Sequence, residues 1–382
     1  ARITLPSGAL LIVNANGTFD YDPNHKFDYL PTPDSGASNL TVTDTFSYTI
    51  TGGDTATVTV TVHGVDTDDV LYDSGDTDNL AGGIGNDVYY VSNTGDVVTE
   101  AANAGSDTVA AFVNYTLPAN NTVEVLNMIG AGLTGTGTDG AETFISSSGP
   151  NTLIGLGGND TYYVNHADDD VIEAPDGGVD TVLASVDYTM PADAEGLYMM
   201  GSGLTGMGTN NADSLLSSGG PNTLVGLDGD DLYYVNNAAD VVVEVPNEGF
   251  DSVITSLSYD LSANAANVEA LYLTGSGLTG TGNSDANTLV NAGANTLTGG
   301  DGNDTFVFSA GSANGATVTD FNRDQVTEWD FLVFSGFGTQ GATFSQIGTT
   351  DQWQIHSGLD GHNETITLSN HAVVHAGDFV FV

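Results

Sequence analysis

The sequence predicts an all-β chain: a parallel β-roll or solenoid over residues 65–310, preceded by part of an antiparallel β-sandwich over 1–64 and closed by a C-terminal β cap over 311–382. Three observations predict it. Asp69, Asp78 and Asp87 stand nine residues apart and run into the string GGIGNDVYY, Gly82 to Tyr90. The same register returns three more times, with Asp87, Asp160, Asp231 and Asp304 following one another at nearly constant spacing. Residues 1–64 lack this register and alternate apolar and polar side chains instead, the pattern of half-buried antiparallel strands.

In the first segment the alternation runs through Leu10 and Ile12, then Phe19 and Tyr21, then Phe46, Tyr48 and Ile50, then Val58, Val60 and Val62. Turns are expected at Asn16-Gly17 and Gly52-Gly53. A complete seven-stranded sandwich takes about 100 residues, so this segment is read as part of one. The strings NANGTFDYDPN, DTFSYTI and TATVTVTV resemble the last strands of the cadherin-like or VCBS modules of large bacterial adhesins. With Ala1 at its start and neither an initiator methionine nor a signal peptide, the chain is expected to be a fragment or processed product of something longer.

In the central segment each acidic rung is followed two residues later by an apolar one: Leu71, Leu80 and Tyr89, then Val98 after Asp96. Asp160 ends GLGGND, is preceded by Asn151 and Glu142, and has Phe144, Leu153 and Tyr162 as its apolar set. Asp231 ends GLDGDD after Asn222 and Asp213, with Leu215, Leu224 and Tyr233. Asp304 ends GGDGND after Asn295 and Asn287, with Leu289, Leu297 and Phe306. A short period with a glycine-rich acidic half and an apolar half is one turn of a coil, carboxylates stacking in the loops and strand side chains filling the core.

These strings resemble the RTX (repeats-in-toxin) nonapeptide G-G-x-G-x-D-x-U-x, U being a large apolar residue. Gly82, Gly83, Gly85, Asp87, Tyr89 and Gly299, Gly300, Gly302, Asp304, Phe306 match it directly; Leu156 and Leu227 replace its second glycine in the other two copies. A leucine there resists the positive φ that glycine accepts. The resemblance implies Ca2+ as cofactor, several ions, each held between successive loops on one edge of the roll, pairing Asp69 with the Asp87 loop and Asp213 with the Asp231 loop. Calcium takes roughly six to eight oxygen ligands, which carboxylates and backbone carbonyls supply. The metal residues it implies are Asp69, Gly82, Gly83, Gly85 and Asp87; Glu142, Gly155, Gly157 and Asp160; Asp213, Gly226, Asp228 and Asp231; and Gly299, Asp301 and Asp304. Asn151, Asn222 and Asn295 are then neutral rungs of the opposite edge, bonded to backbone.

Between the nonapeptides a second cassette recurs, an acid followed by G-x-D-[TS]-V: Glu100 with Gly105 and Asp107, Glu173 with Gly178 and Asp180, Glu244 with Gly249 and Asp251. Tyr115, Tyr188 and Tyr259 follow, then Glu124, Glu195 and Glu269. These stretches read as wider coils of the same solenoid, their acids being either extra calcium ligands or a solvated face.

From 311 onward the strings TVTDFNRDQ, DFLVFSGFG, ETITLSN and HAGDFVFV resemble the C-terminal cap of RTX proteins, which carries an uncleaved type I secretion signal. The usual D-x-[IL]-D-L string is altered to Trp329-Asp330-Phe331-Leu332-Val333. A cap also shields the open end of a solenoid from edge pairing.

Composition narrows the function. Three Lys plus Arg face 50 Asp plus Glu, a formal charge of −47, which opposes compaction unless cations neutralise it and argues against a nucleic-acid partner. With 40% apolar residues the chain is no disordered acidic tail; without cysteine its rigidity owes nothing to disulfides; no apolar run spans a membrane. No catalytic motif appears: His371 and His375 lack an H-E-x-x-H, and there is no G-x-S-x-G elbow. The chain is therefore expected not to be an enzyme but a secreted, calcium-dependent structural or adhesive protein at the surface of a Gram-negative bacterium. Its expected partners are the type I secretion machinery and either further copies of itself, surface polysaccharide or other cells. The alternatives are the secretion and folding module of an RTX protease, lipase or epimerase, and a carbohydrate-binding module using Tyr89, Tyr90, Tyr162, Tyr163, Tyr233 and Tyr234.

Overall fold

The computed structural model describes residues 2–14, 18–24, 26–27, 30, 41–49, 53–63, 68–100, 105–119, 122–322 and 329–382. The chain packs as two compact units, Ala1–Asp180 and Thr181–Val382. The first opens on an antiparallel sheet of Arg2–Thr4, Leu10–Val13 and Phe19–Asp22, followed by the antiparallel pair Thr41–Thr49 and Thr55–His63. Leu5, Ala9, Leu11, Phe27 and Leu30 form a small core against which Tyr21, Val42, Phe46 and Val62 pack. Phe19 meets Phe46 edge-on at 5.0 Å. Ile50, and Asn16, Gly17 and Gly52 of the expected turns, lie outside the described residues, and Gly53 has φ +92°.

The rest of this unit is a parallel coil. One sheet stacks Val70–Tyr72, Val88–Val91, Thr108–Ala111, Val125–Met128, Thr143–Ser146 and Thr161–Val164. Facing it are narrower parallel sheets, Asn79–Leu80 with Val97–Val98, and Tyr115–Thr116 through Thr134–Thr136 and Thr152–Leu156 to Asp170–Glu173. The nine-residue ladder thus divides between two walls: Leu71 pairs with Tyr89 in the wide sheet and Leu80 with Val98 in the narrow one. Two such halves make one coil. Register carries the wide-sheet column from Tyr89 through Val109, Leu126 and Phe144 to Tyr162, each wholly shielded from solvent. Phe144 and Tyr162 stack at 5.0 Å with planes 13° apart.

The second unit repeats the construction from Thr181–Ala184 through Leu232–Val235 and Thr305–Ser309, every neighbouring pair of the wide sheet parallel. Its parallel pairing continues beyond residue 311. Phe331–Ser335 repeats the apolar alternation of Thr305–Ser309 and pairs with it, and Phe379–Phe381 adds the next rung. Thr343–Gln346, Gln352–His356 and Asn363–Leu368 form an antiparallel addition whose last strand pairs in parallel with Thr317–Val318. Phe334 packs on Phe344 and Phe381 where these strands meet.

Because the apolar column fills the coil with one side chain per turn, truncating a rung leaves a cavity that its neighbours cannot close. Phe144→Ala is expected to cost about 3 to 5 kcal/mol, read as a lowered denaturation midpoint in urea at saturating calcium. An unchanged midpoint would mean that the column is not the core.

Candidate metal centre

Nearly every coil reaches the wide sheet through a loop that ends in an acidic residue, Asn287 standing in one of them, and these residues form a column tied together by backbone. The N–H of Asp69 donates to Asp87 Oδ1 at 2.7 Å, that of Asp87 to Asp107 Oδ1 at 2.8 Å, and that of Asp107 to Glu124 Oε2 at 2.8 Å. Further along, Glu142 donates to Asp160 and Asp160 to Asp180, both at 2.7 Å. In the second unit Asp213 donates to Asp231, Asp231 to Asp251, and Asp251 to Glu269. One oxygen of each carboxylate is thereby spent on the preceding coil.

The second oxygen is treated differently. Asp87 Oδ2, Asp107 Oδ2, Asp160 Oδ2, Asp231 Oδ2 and Glu244 Oε2 are buried with no hydrogen-bond partner. These atoms belong to three groups of one design, Asp87 with Glu100 and Asp107, Asp160 with Glu173 and Asp180, and Asp231 with Glu244 and Asp251, in each of which three carboxylate oxygens lie within 4.8 Å of one another. The first glycine of each nonapeptide is the floor of the group. A Cβ on Gly82 would overlap Asp87 Oδ2, and on Gly155 or Gly226 it would overlap the aspartate, the glutamate and the hydroxyl of Tyr162 or Tyr233. The cassette glycines Gly105, Gly178 and Gly249 likewise lie against the carbonyls of Gly85, Gly158 and Gly229, so neither loop tolerates a side chain there.

Three carboxylates held this closely out of water resist ionising together. Burial pushes Asp160 and Asp231 up to about 7, Glu244 up to about 8, and Asp107 and Asp251 up to about 6, with the neighbouring carboxylates adding to the effect. Burial, reinforced by the glutamate, also raises the hydroxyls of Tyr162 and Tyr233, which donate to Glu173 Oε1 and Glu244 Oε1. Three triads hold nine carboxyls, and the whole chain has three Lys and Arg. Its own side chains cannot neutralise them. An all-oxygen donor set with unspent buried oxygens fits a hard divalent cation, whose bonds of about 2.4 Å place ligand oxygens within roughly 5 Å of each other.

The residues singled out in the sequence fall into three groups. Asp87, Asp160 and Asp231 enter the triads, with Gly82, Gly155 and Gly226 beneath them. Gly83 and Gly85 take φ +104° and +144°, while Leu156 and Leu227, at the second glycine position, are forced to +80° and +84°. That left-handed backbone costs a leucine on the order of 1 to 2 kcal/mol, so the packed coils on either side hold it in place. Asp69 stands one rung before Asp87. Glu142 and Asp213 are buried, but Thr138 and Thr209 donate to both oxygens of each. Gly157 lies in its loop, and Asp228 and Asp301 point to solvent outside the triads. In the fourth copy Asp304 accepts from Asn287 at 2.8 Å, and the N–H groups of Gly299 and Gly300 donate to Asp320. No triad forms there among the described residues.

Glu100, Glu173 and Glu244, with Asp107, Asp180 and Asp251, complete the groups although the nonapeptide pattern does not contain them. Their signal was constant spacing: each glutamate keeps one fixed separation from its nonapeptide aspartate, and each cassette aspartate another, in all three copies. A further group, Asp73, Asp78 and Asp96, lies on the other edge and is engaged by Ser74, Ser92 and Asn93. On that edge Asn151, Asn222 and Asn295 each accept a backbone N–H of the preceding coil at 2.9 Å and donate to one of its carbonyls. Of the aromatic pairs, Tyr89, Tyr162 and Tyr233 are core. Tyr90, Tyr163 and Tyr234 face outward.

A parallel coil whose acidic loops gather buried carboxylates defines a calcium-binding β-roll. The RTX calcium-binding nonapeptide repeat matches this chain in four copies, at residues 61–97, 136–171, 207–242 and 281–312. It is an RTX calcium-binding β-roll protein. Among curated proteins it resembles the endo-1,3-1,4-beta-glycanase ExsH of Rhizobium meliloti, 38% identical over 91 residues, or 24% of this chain and 19% of that protein. It also resembles the endo-1,3-1,4-beta-glycanase EglC of the same organism, 35% identical over 85 residues, 22% of this chain and 18% of that protein. The match thus spans about a fifth of the length of these relatives. No helix among the described residues is long and apolar enough to cross a membrane.

Raised carboxyl pKa values fix the sign of a pH effect. Asp160 and Asp231 ionise near 3.8 when unfolded and near 7 when folded without metal, so between those values the folded state holds the extra protons. The stability of calcium-free protein should therefore fall as pH rises from about 4 to about 7 and level off above that. In saturating calcium, which requires the ionised carboxylates, the trend should reverse. Thermal melts across this range with chelator and with calcium read both slopes, and parallel slopes would refute the account.

Proposed function

We propose that this chain is the calcium-dependent region of a secreted bacterial protein with a structural or adhesive role at the cell surface or in the extracellular matrix, and that it folds as calcium is met outside the cell. The observation that carries the reading is the threefold recurrence of buried carboxylate triads on a roll with too few cations of its own. In calcium-poor cytosol the acidic coils repel one another and the chain stays threadable. Outside, calcium at about 100 times the dissociation constant adds about 2.7 kcal/mol per site. Three sites then contribute an amount within the ~5 to 15 kcal/mol net stability of an ordinary domain. The antiparallel strands before the roll support an adhesin or surface-layer architecture, in which divalent ions bridge acidic faces of neighbouring copies or of surface polysaccharide.

A second reading is favoured by a different observation: the two glycanase relatives match this chain over a repeat region. On that reading the roll is the secretion and folding module of an enzyme whose catalytic part lies elsewhere in the protein. The gene's upstream sequence separates the two, further sandwich repeats supporting the first and a catalytic domain the second.

Circular dichroism of residues 65–382 should show a largely disordered chain in chelator and a cooperative gain of β signal as calcium rises. A roll equally folded and equally heat-stable in excess chelator would overturn the proposal. Export by a type I system, implied by the terminal strings, gives a separate expectation. Removing Asp378 to Val382 also removes the final parallel rung, Phe379–Phe381, and should leave the protein inside the cell. Normal accumulation in the medium would rule that signal out.

A further inference from the structure

We infer that calcium is bound most tightly at three composite sites, each built from a nonapeptide aspartate and the glutamate and aspartate of the following cassette: Asp87, Glu100 and Asp107; Asp160, Glu173 and Asp180; Asp231, Glu244 and Asp251. The inference rests on the calcium reading above and goes beyond it, since a nonapeptide supplies neither the glutamate nor the cassette aspartate.

Two observations independent of the acidic clustering point to a ligand. Asp87, Asp160 and Asp231 are at most 1% exposed, and each has an oxygen with no hydrogen-bond partner. That oxygen is the Oδ2 that a Cβ on Gly82, Gly155 or Gly226 would strike, so it projects into the space the glycine leaves open. At the third site Glu244 Oε2 is also buried and without a partner, while its Oε1 is held by the hydroxyl of Tyr233. Glu173 receives the same hydroxyl from Tyr162. A buried hydroxyl fixing one oxygen of a carboxylate, with the other turned toward neighbouring carboxylates, is the way an outer group orients a metal ligand.

The cassette explains why the glutamate is there. The step from Asp87 to Asp107 is longer than that from Asp69 to Asp87, and the same longer step separates Asp160 from Asp180 and Asp231 from Asp251. The longer loop opens on the glutamate where the nonapeptide opens on a glycine, and the glutamate brings in a charged oxygen. The fourth copy has Thr317 at the position, counted from Asp304, that the glutamate holds in the other three. Three sites of this construction are therefore counted among the described residues.

The test uses the full chain. Calcium-free protein is titrated with calcium by calorimetry, and separately with terbium, whose emission is sensitised by a nearby tyrosine. Glu244→Gln keeps an acceptor for Tyr233 and removes one of three crowded charges, so folding is not compromised by the substitution. It should remove one ion from the tight class or weaken that ion at least about tenfold, the lower end of what is lost even when only a supporting group is removed. Tyr233→Phe should leave the calcium stoichiometry unchanged and lower the sensitised terbium emission. If wild-type protein binds calcium and Glu244→Gln binds the same number of ions at the same midpoint, the glutamate is not a ligand and the inference fails. If wild-type protein binds no calcium at all, the calcium reading itself fails.

Discussion

Everything in this molecule depends on how a buried carboxylate divides its two oxygens. Asp87, Asp160 and Asp231 each use Oδ1 to accept the N–H of the preceding rung, which is the hydrogen bond that turns a loop into a repeat. Oδ2 then faces two more carboxylates with no donor available. Leaving such an atom buried and charged is far costlier than the bond on the other oxygen is favourable, so a proton or a cation at that atom stabilises the closed coil. Near neutral pH a proton is a poor answer at Asp107 and Asp251, pushed only to about 6. A divalent ion answers all three carboxylates at once.

Acidity alone does not identify such a site, and the opposite edge of the roll shows why. Asp169 and Asp240 are buried like the triad aspartates and recur with the same period. Asp169 Oδ1 accepts from Asn151 and Ser146 and its Oδ2 from Asn165 and His166; Asp240 Oδ1 accepts from Asn222 and Ser217 and its Oδ2 from Asn237. Both oxygens are spent, and the charge is stabilised by donors fixed in the fold. The asparagine rungs do the same without charge, one amide satisfying both an N–H and a carbonyl. On one edge of the roll Asp169 and Asp240 meet donors on both oxygens, while on the other Asp87, Asp160 and Asp231 each keep one oxygen without a hydrogen-bond partner.

Much of this was legible in the sequence because the period is rigid. A strand side chain every nine residues has one register that buries Leu71, Tyr89, Phe144 and Tyr162 together, and a slip of one residue would turn the column outward. What was not legible is composition across coils. Glu100 and Asp107 read as a separate cassette because their separations from Asp87 fit no nonapeptide, yet one long loop brings them beside it. The leucines at 156 and 227 promised an altered loop; the loop instead keeps its shape and the leucines accept a glycine's backbone. Threonines mattered as well: Thr138 and Thr209 donate to both oxygens of Glu142 and Asp213, a support the repeat pattern does not show.

The fourth copy shows the same logic in reverse. It matches the nonapeptide as well as the first, but Asn287 replaces the acid one rung before Asp304, and Thr317 stands where a glutamate would close the triad. Asp320 accepts from Gly299 and Gly300 with one oxygen each, and Asp330 accepts the N–H of Asp304 at 3.0 Å. Glu364, also buried, accepts three backbone N–H groups that follow the strand Thr305–Ser309, those of Gly311, Ala313 and Asn314. Backbone donors of the loops at 299–300 and 311–314 thus engage both oxygens of Asp320 and of Glu364. This end of the second unit meets these acids with backbone donors and adds the phenylalanine cluster around Phe334 to its core.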